Sequence, residues 1–372
     1  MRATIVAAAV VLAVTALPAF AQADPGPPTG PMVLPAPTGA LPVGSKTLHL
    51  KDLSRADPWV PTERRELMVN LFYPALPGTG PRTRYMTPAE SEAMLAEGGL
   101  TDLPPDFLAA TGTHSTVDAR PLPRPHGRPL VVLSPGYTKP RATLTALAED
   151  LAAHGYAVAV VGHTYENYGT SFPDGRFAGC VSCEIDHEPG FWVKLAEGRA
   201  ADASFVIDEL LKRPGFVDPS RIAMGGHSAG GGSTLTAMLA DPRIKAGFDI
   251  DGRIYTSLRD TTFTRPFLFL GAYPPDLPIP PCTSHPWEED FPKLSGWKRW
   301  LSVTGAKHAS FTDVGLFADH LGVDIGATIT GARTQSITRT YVTAFLDTHL
   351  RNRHRPILDA SSDRYPEITF CG

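Results

Sequence analysis

From residue 129 onward the apolar positions of this 372-residue chain fall into two alternating patterns. Short, mainly apolar runs occur at Leu130 to Leu133, Tyr156 to Val161, Ile222 to Met224, Ile244 to Ile250, Phe267 to Leu270 and Trp300 to Thr304. Apolar runs of that length, bounded by turn residues, are expected to be strands buried on both faces. Between them, about Ala142 to His154, Lys194 to Leu211, Ser228 to Leu239 and Tyr341 to Leu350 repeat apolar residues with helical period. Strands alternating with helices predict an α/β architecture, a mostly parallel sheet with helices on both faces. A further strand is expected at Leu67 to Phe72. Thr87-Pro88-Ala89-Glu90 opens a short helix, with Thr as cap, Pro at the first helical position and Glu reaching back.

The first segment reads differently. Arg2, the apolar stretch Ile5 to Leu17 and the small residues around Ala19 to Ala23 form the pattern of a secretory signal over 1–23. Its apolar run is shorter than the about 20 residues a membrane span needs, and no later segment reaches that length. Residues 24–45 carry seven prolines and predict an extended lead-in, surface-bound or mobile. Residues 46–372 are then expected to form one catalytic domain.

Charge narrows the function classes. Lys and Arg number 34 against 38 Asp and Glu, a net charge of −4, which lacks the basic excess a nucleic-acid binder needs to displace phosphate counterions. Export makes the four cysteines candidates for disulfides, and four permit three pairings. The pairing expected here is a local Cys180–Cys183 loop and a Cys282–Cys371 staple. Cys180, Cys183 and His187 could form part of a zinc knuckle, but a second ligand pair at matching spacing is missing, so no metal is expected. Of the 37 prolines, 21 cluster in 25–42, 104–135 and 274–292, seven in each. They leave the expected strands and helices nearly clear and stiffen the loops near the catalytic end.

The chemistry centres on Gly226-His227-Ser228-Ala229-Gly230. A strand enters this motif and an alanine-rich helix leaves it, the context in which Gly-x-Ser-x-Gly holds a serine on a sharp turn above a sheet edge. Neighbouring side chains must nearly vanish there, hence the glycines. A serine hydroxyl needs a base and the base needs an orienting carboxylate, in the chain order Ser, acid, His. Of His285, His308, His320, His349 and His354, His308 follows a strand end by four residues and is the expected base. His349 and His354 read as solvated groups of the last helix, and His320 as a helix-face residue. For the acid, Asp249, Asp251 and Asp276 all lie near strand ends, and position alone does not choose among them. His163 reads as a satisfied loop histidine rather than a second base.

At these residues the chain resembles the plasma-type (type II) platelet-activating-factor acetylhydrolase family of α/β-hydrolases and its secreted bacterial esterase relatives. The resemblance rests on Gly-His-Ser228-x-Gly-Gly, on Gly247-Phe-Asp-Ile-Asp251 and on His308-x-x-Phe311-Thr-Asp313. It implies the α/β-hydrolase fold, Ser228, Asp251 and His308 as catalytic residues, and an oxyanion hole from the backbone amides of Tyr137 and Ala229. Ser134-Pro-Gly-Tyr-Thr138 also resembles actinobacterial cutinases, which makes polyester or lipase chemistry the alternative. The implied activity is hydrolysis of short-chain or lipid-like carboxylic esters through an acyl-enzyme. No cofactor is implied, and the expected form is a monomer that could touch lipid surfaces. Met94, Leu95 and Phe107 are candidates for a lid or for ordinary packing. The loop from Tyr165 to Trp192 is expected to form a wall of the pocket.

Overall fold

The computed structural model describes residues 30–256, 258, 262–273, 282–283 and 286–372. The signal-like segment, Asp276 and His285 lie outside them. In chain order the strands β1 (Val43–Ala56), β2 (Arg64–Pro74), β3 (Thr116–Val117), β4 (Arg128–Ser134) and β5 (Ala157–His163) come first. After the small β6 (Thr170–Ser171) and β7 (Phe177–Ala178) hairpin follow β8 (Val217–His227), β9 (Ile244–Ile250), β10 (Phe267–Tyr273), β11 (Lys298–Thr304) and β12 (Ile368–Phe370). One ten-stranded sheet runs in the order β12-β11-β10-β9-β8-β4-β5-β2-β1-β3. Its centre, β5-β4-β8-β9-β10-β11, is parallel throughout, with antiparallel pairs outside it at β2-β5, β1-β2 and β11-β12.

Two faces of this sheet are apolar, so helices cover both. Along β4, Val131 and Leu133 point to one layer and Leu130 and Val132 to the other, the period of two that a strand imposes. The first layer is closed by α2 (Thr145–Ala153) and α6 (Gly331–Arg351), through Leu147, Leu151, Ile337, Tyr341 and Phe345. The second is closed by α3 (Phe191–Leu211) and α4 (Ala229–Ala240), through Val206, Ile207, Leu210, Leu235 and Met238. Two shorter helices, α1 (Pro88–Glu97) and α5 (Asp313–Leu321), pack together over one end. α1 starts where the sequence places it: Thr87 Oγ1 accepts from the Glu90 N–H at 3.1 Å, and Glu90 returns the bond to the Thr87 N–H at 3.0 Å.

Two differences from the sequence reading, at β1 and at His349, have physical causes, and the lead-in takes the surface-bound of its two expected forms. β1 begins at Val43, inside the expected lead-in, because its backbone pairs with β2 from Val43↔Pro74 onward. The part of the lead-in that is described is strapped down. The Thr38 N–H donates to Asp150, the Leu41 N–H to the Ala153 carbonyl, and Arg339 to the carbonyls of Pro35 and Ala36. His349 is not a solvated group of the last helix: its ring lies 4.4 Å from that of Trp297 and 4.9 Å from that of Phe345, and burial pushes its pKa down to about 4.

Both expected disulfides are present, Cys180–Cys183 and Cys282–Cys371. The second spans 89 residues, and cross-linking a loop that long removes unfolded-chain entropy worth up to about 4–5 kcal/mol. Replacing Cys282 and Cys371 together by serine is expected to lower the thermal midpoint by several degrees, whereas the same change at Cys180 and Cys183, which close a far smaller loop, costs less. Calorimetry of the two double variants checks the order.

Asp313 carries a second prediction. It opens α5 fully buried, and both carboxyl oxygens face the Ala146 N–H in the first turn of α2, at 3.2 and 3.3 Å. Burial pushes this carboxyl up to about 8. An acid whose folded pKa lies above its unfolded value near 4 stabilises most fully below that lower value, and the contribution fades as pH rises to about 8. Urea unfolding of Asp313→Asn between pH 4 and 9 is therefore expected to show a shallower loss of stability over that window than the parent. Parallel curves would contradict it.

Candidate active site

The strand-to-helix turn between β8 and α4 places Ser228 at φ 55° and ψ −124°, a conformation an L-residue adopts only under constraint. The constraint is visible. The Ser228 N–H donates to the Ile250 carbonyl at 2.8 Å, and the Ser228 carbonyl accepts from the Gly232 N–H at 2.9 Å. The flanking glycines are required by close approach: a Cβ on Gly226 or Gly230 would lie 2.0 or 1.9 Å from the Ser134 carbonyl oxygen. Ala229 is the first residue of α4 and is buried.

Asp251 stands one residue beyond Ile250, at φ 53°. Its backbone N–H donates to the Leu270 carbonyl at 2.9 Å, and its Oδ1 accepts from the Ala272 N–H at 2.7 Å, so β10 fixes the carboxylate. Oδ2 lies 2.6 Å from His308 Nδ1. A carboxylate at Nδ1 favours the tautomer with its proton there, which makes Nε2 the acceptor nitrogen. The Asp251 side chain is mostly buried, while His308 is about half exposed at 56%, so one partner is anchored and the other can reach a substrate. His308 is tied to the elbow from behind as well: His227 Nε2 donates to the His308 carbonyl at 2.8 Å, and the two rings lie 4.4 Å apart. Burial, with His308 second, pushes the His227 pKa down to about 3, so His227 stays neutral.

Asp249, the alternative acid, turns inward instead. It is fully buried, accepts from the Gly252 N–H at 2.9 Å and from Trp287 Nε1 at 3.0 Å, and burial drives its carboxyl well up.

The turn after β4 lies against the elbow. A Cβ on Gly136 would sit 3.4 Å from Ser228 Cβ, and Tyr137 follows it. Tyr137 also opens an aromatic wall. Its ring meets Phe191 at 5.5 Å and Trp192 at 5.3 Å edge to face, and Trp192 stacks on Tyr255 at 5.5 Å with planes 10° apart. Ala229 packs into the same cluster through Phe191 and Leu195, which brings the wall beside the serine. Trp192 remains 38% exposed. The Cys180–Cys183 loop braces this wall through Ser182, whose hydroxyl lies 3.2 Å from that of Tyr137.

The other sequence candidates are placed as follows. Leu95 is buried in a cluster with Phe317, and Met94 and Phe107 pack on it, so α1 is bound to α5. An apolar cleft of about 150 Å³ remains between them, lined by Met94, Leu100, Phe317 and Leu321, with Lys139 paired to Glu97 at its rim. His320 contacts the Gly30 carbonyl, and His354 is exposed beside Asp359. His163 is buried, with both ring nitrogens occupied. The sequence reading missed Trp59, Tyr255 and the buried ionic residues Arg65, Glu166, Arg199 and Asp202. For Arg199 and Asp202 a signal existed, since they share with Leu195 and Val206 the spacing of one buried helix stripe.

Comparison with known proteins follows this geometry. No family model matches the chain. The solved structure of a ferulic acid esterase from Streptomyces cinnamoneus is 42% identical and superposes with a TM-score of 0.83, over 92% of this chain and 100% of that one. A probable 1-alkyl-2-acetylglycerophosphocholine esterase from Arthroderma benhamiae is 28% identical over 91% of this chain and 93% of its own length. Cutinase est1 from Thermobifida alba is 30% identical over about half of each chain, 48% of this one and 52% of its own. With this fold and these relatives, the chain belongs to the α/β-hydrolase family of carboxylic ester hydrolases that holds these esterases and cutinases.

Proposed function

We propose that this carboxylic ester hydrolase works through Ser228, His308 and Asp251. The observation that carries the reading is the 2.6 Å contact between His308 Nδ1 and the backbone-anchored Asp251, on a loop hydrogen-bonded to the elbow that presents Ser228. His308 Nε2 takes the proton of Ser228 as Oγ attacks the ester carbonyl. The oxygen that becomes negative is bound by the backbone N–H groups of Tyr137 and Ala229. Collapse breaks the ester C–O bond, His308 returns the proton to the departing alcohol, and an acyl-Ser228 ester remains. Water, deprotonated by the same imidazole, then releases the acid and restores Ser228.

For the substrate we propose an ester of an aromatic acid, of the hydroxycinnamic type. The Trp192–Tyr255 stack and the Tyr137 edge offer a flat acyl group the offset and edge-to-face contacts aromatic rings prefer. The ferulic acid esterase likeness supports the same class. A second reading is a short acyl group on a lipid-like alcohol, which the apolar cleft between α1 and α5 could receive and the acetylglycerophosphocholine esterase likeness supports. Two disulfides and the signal-like segment support action outside the cell.

A fluorophosphonate probe is expected to label the protein at Ser228, with labelling lost in Ser228→Ala. Asp251→Asn should lower kcat by on the order of 10³-fold or more through the wrong imidazole tautomer, with little change in KM. Near-normal turnover in that variant would remove Asp251 from the role.

The substrate is tested by kcat/KM on methyl ferulate, p-nitrophenyl acetate and butyrate, and a short-chain phospholipid. Preference for the aromatic acid ester is expected, with Trp192→Ala losing about tenfold on it and little on the acetate. The opposite order would favour the second reading.

A further inference from the structure

Behind the turn that follows β4 lies a second serine–histidine–aspartate array. Ser134 Oγ is 2.9 Å from His163 Nε2, and His163 Nδ1 is 2.8 Å from Asp202 Oδ2. The connectivity is that of a catalytic triad, yet Ser134, His163 and Asp202 are 0%, 2% and 0% exposed. No ester can reach this serine. Arg199 completes the array: its Nη1 donates to Ser134 Oγ at 3.1 Å and to the Pro135 carbonyl at 2.5 Å, while its Nε donates to Glu166 at 2.7 Å.

The cluster joins several elements, with Ser134 on β4, His163 on β5, Arg65 on β2, and Arg199 and Asp202 both on α3. Arg65 on β2 reaches Asp202 on α3, Asp57 and Glu166 at once, and Trp59 Nε1 donates to Glu166 at 2.9 Å. The Glu166 backbone carbonyl accepts the Thr138 N–H at 2.9 Å. The turn 134–138 is thereby held at Ser134, Pro135 and Thr138, on both sides of Tyr137. His163, Glu166 and Asp202 bring ligand atoms within 4.8 Å of one another, but Arg65 and Arg199 already balance those carboxylates, so the cluster is occupied by its own cations.

We propose that Arg199 and Ser134 are positioning residues that hold the Pro135–Tyr137 turn so that the Tyr137 amide faces the developing oxyanion. This rests on the reading of Ser228 as nucleophile and of the Tyr137 amide as an oxyanion donor. Ser134 is the joint between the two machines. Its carbonyl fills the space that Gly226 and Gly230 leave open, and its hydroxyl bonds the buried array. Arg199 satisfies a carboxylate and a backbone carbonyl with one planar fork, and a lysine ammonium cannot span both in that geometry. A donor misplaced by a fraction of an ångström is felt in the transition state and hardly in the ground state.

The test uses the full chain with Ser134→Ala and Arg199→Lys. Each variant is measured for kcat and KM on one p-nitrophenyl ester, for affinity toward a trifluoromethyl ketone that forms an oxyanion on the serine, and for thermal midpoint. A fall in kcat of about tenfold with KM within twofold, matched by an equal fall in ketone affinity, is the expected result. A purely structural role would lower the midpoint and leave both ratios in place, and that outcome overturns the proposal. If Arg199→Lys does not fold, Ser134→Ala decides. Peptide mapping of the fluorophosphonate adduct separates the layers. Wild-type labelling at Ser134, or none at Ser228, sinks the reading of the site and this proposal with it. Labelling at Ser228 with unchanged kcat and ketone affinity in the folded variants overturns the positioning role alone.

Discussion

The hydrogen bond from the Ser228 N–H to the Ile250 carbonyl links the two halves of the site. It helps hold Ser228 in a backbone conformation that costs on the order of 1–3 kcal/mol, and it fixes where β9 ends relative to the elbow. The residue after Ile250 is Asp251, whose own N–H is taken by Leu270 of the next strand. Serine and carboxylate are therefore set by bonds in two adjacent parallel ladders, β8-β9 and β9-β10, and the spacing between them is a property of the sheet. Only His308 comes from a loop, and that loop is bound to the elbow through His227.

A sheet edge alone would leave the turn after β4 to its own stiffness. Here the turn is backed by groups that are costly to bury: Arg65, Glu166, Arg199 and Asp202 are all at most 1% exposed. Such clusters are weak sources of stability, because desolvation consumes most of the attraction between the charges. The two arginines overcome the burial penalty on Glu166 and Asp202, both of which are held below the usual carboxylate range. His163 is pushed down, by burial first and Arg199 second. What such a cluster offers is direction, since a guanidinium between a carboxylate and a carbonyl has few other ways to sit.

Much of this was legible in the chain. Mainly apolar runs located β4, β5 and β8 to β11, and the glycine spacing around Ser228 located the elbow, because both signals are local. β1 was missed although Leu48 and Leu50 alternate with polar neighbours. Its outer positions are exposed and charged, and prolines crowd the segment before it. The choice among aspartates was not local: Asp249 and Asp251 differ by two residues, and only the packing against β10 and Trp287 sends one to His308 and the other inward. The ionic cluster was the least legible, since Arg65 meets Asp202 across 137 positions of sequence.

The sheet's outermost strands are its shortest, two residues in β3 and three in β12. β12 offers a neighbouring molecule little ladder to extend, whereas β3 covers only Gly44 and Ser45 of β1 and leaves the rest of that strand, with exposed Lys46 and Lys51, along the edge. Cys371, one residue past β12, is bonded to Cys282, which keeps that end of the chain on the sheet. Edge-to-edge pairing is therefore discouraged in two ways, by brevity and a covalent tie at β12 and by exposed lysines on β1.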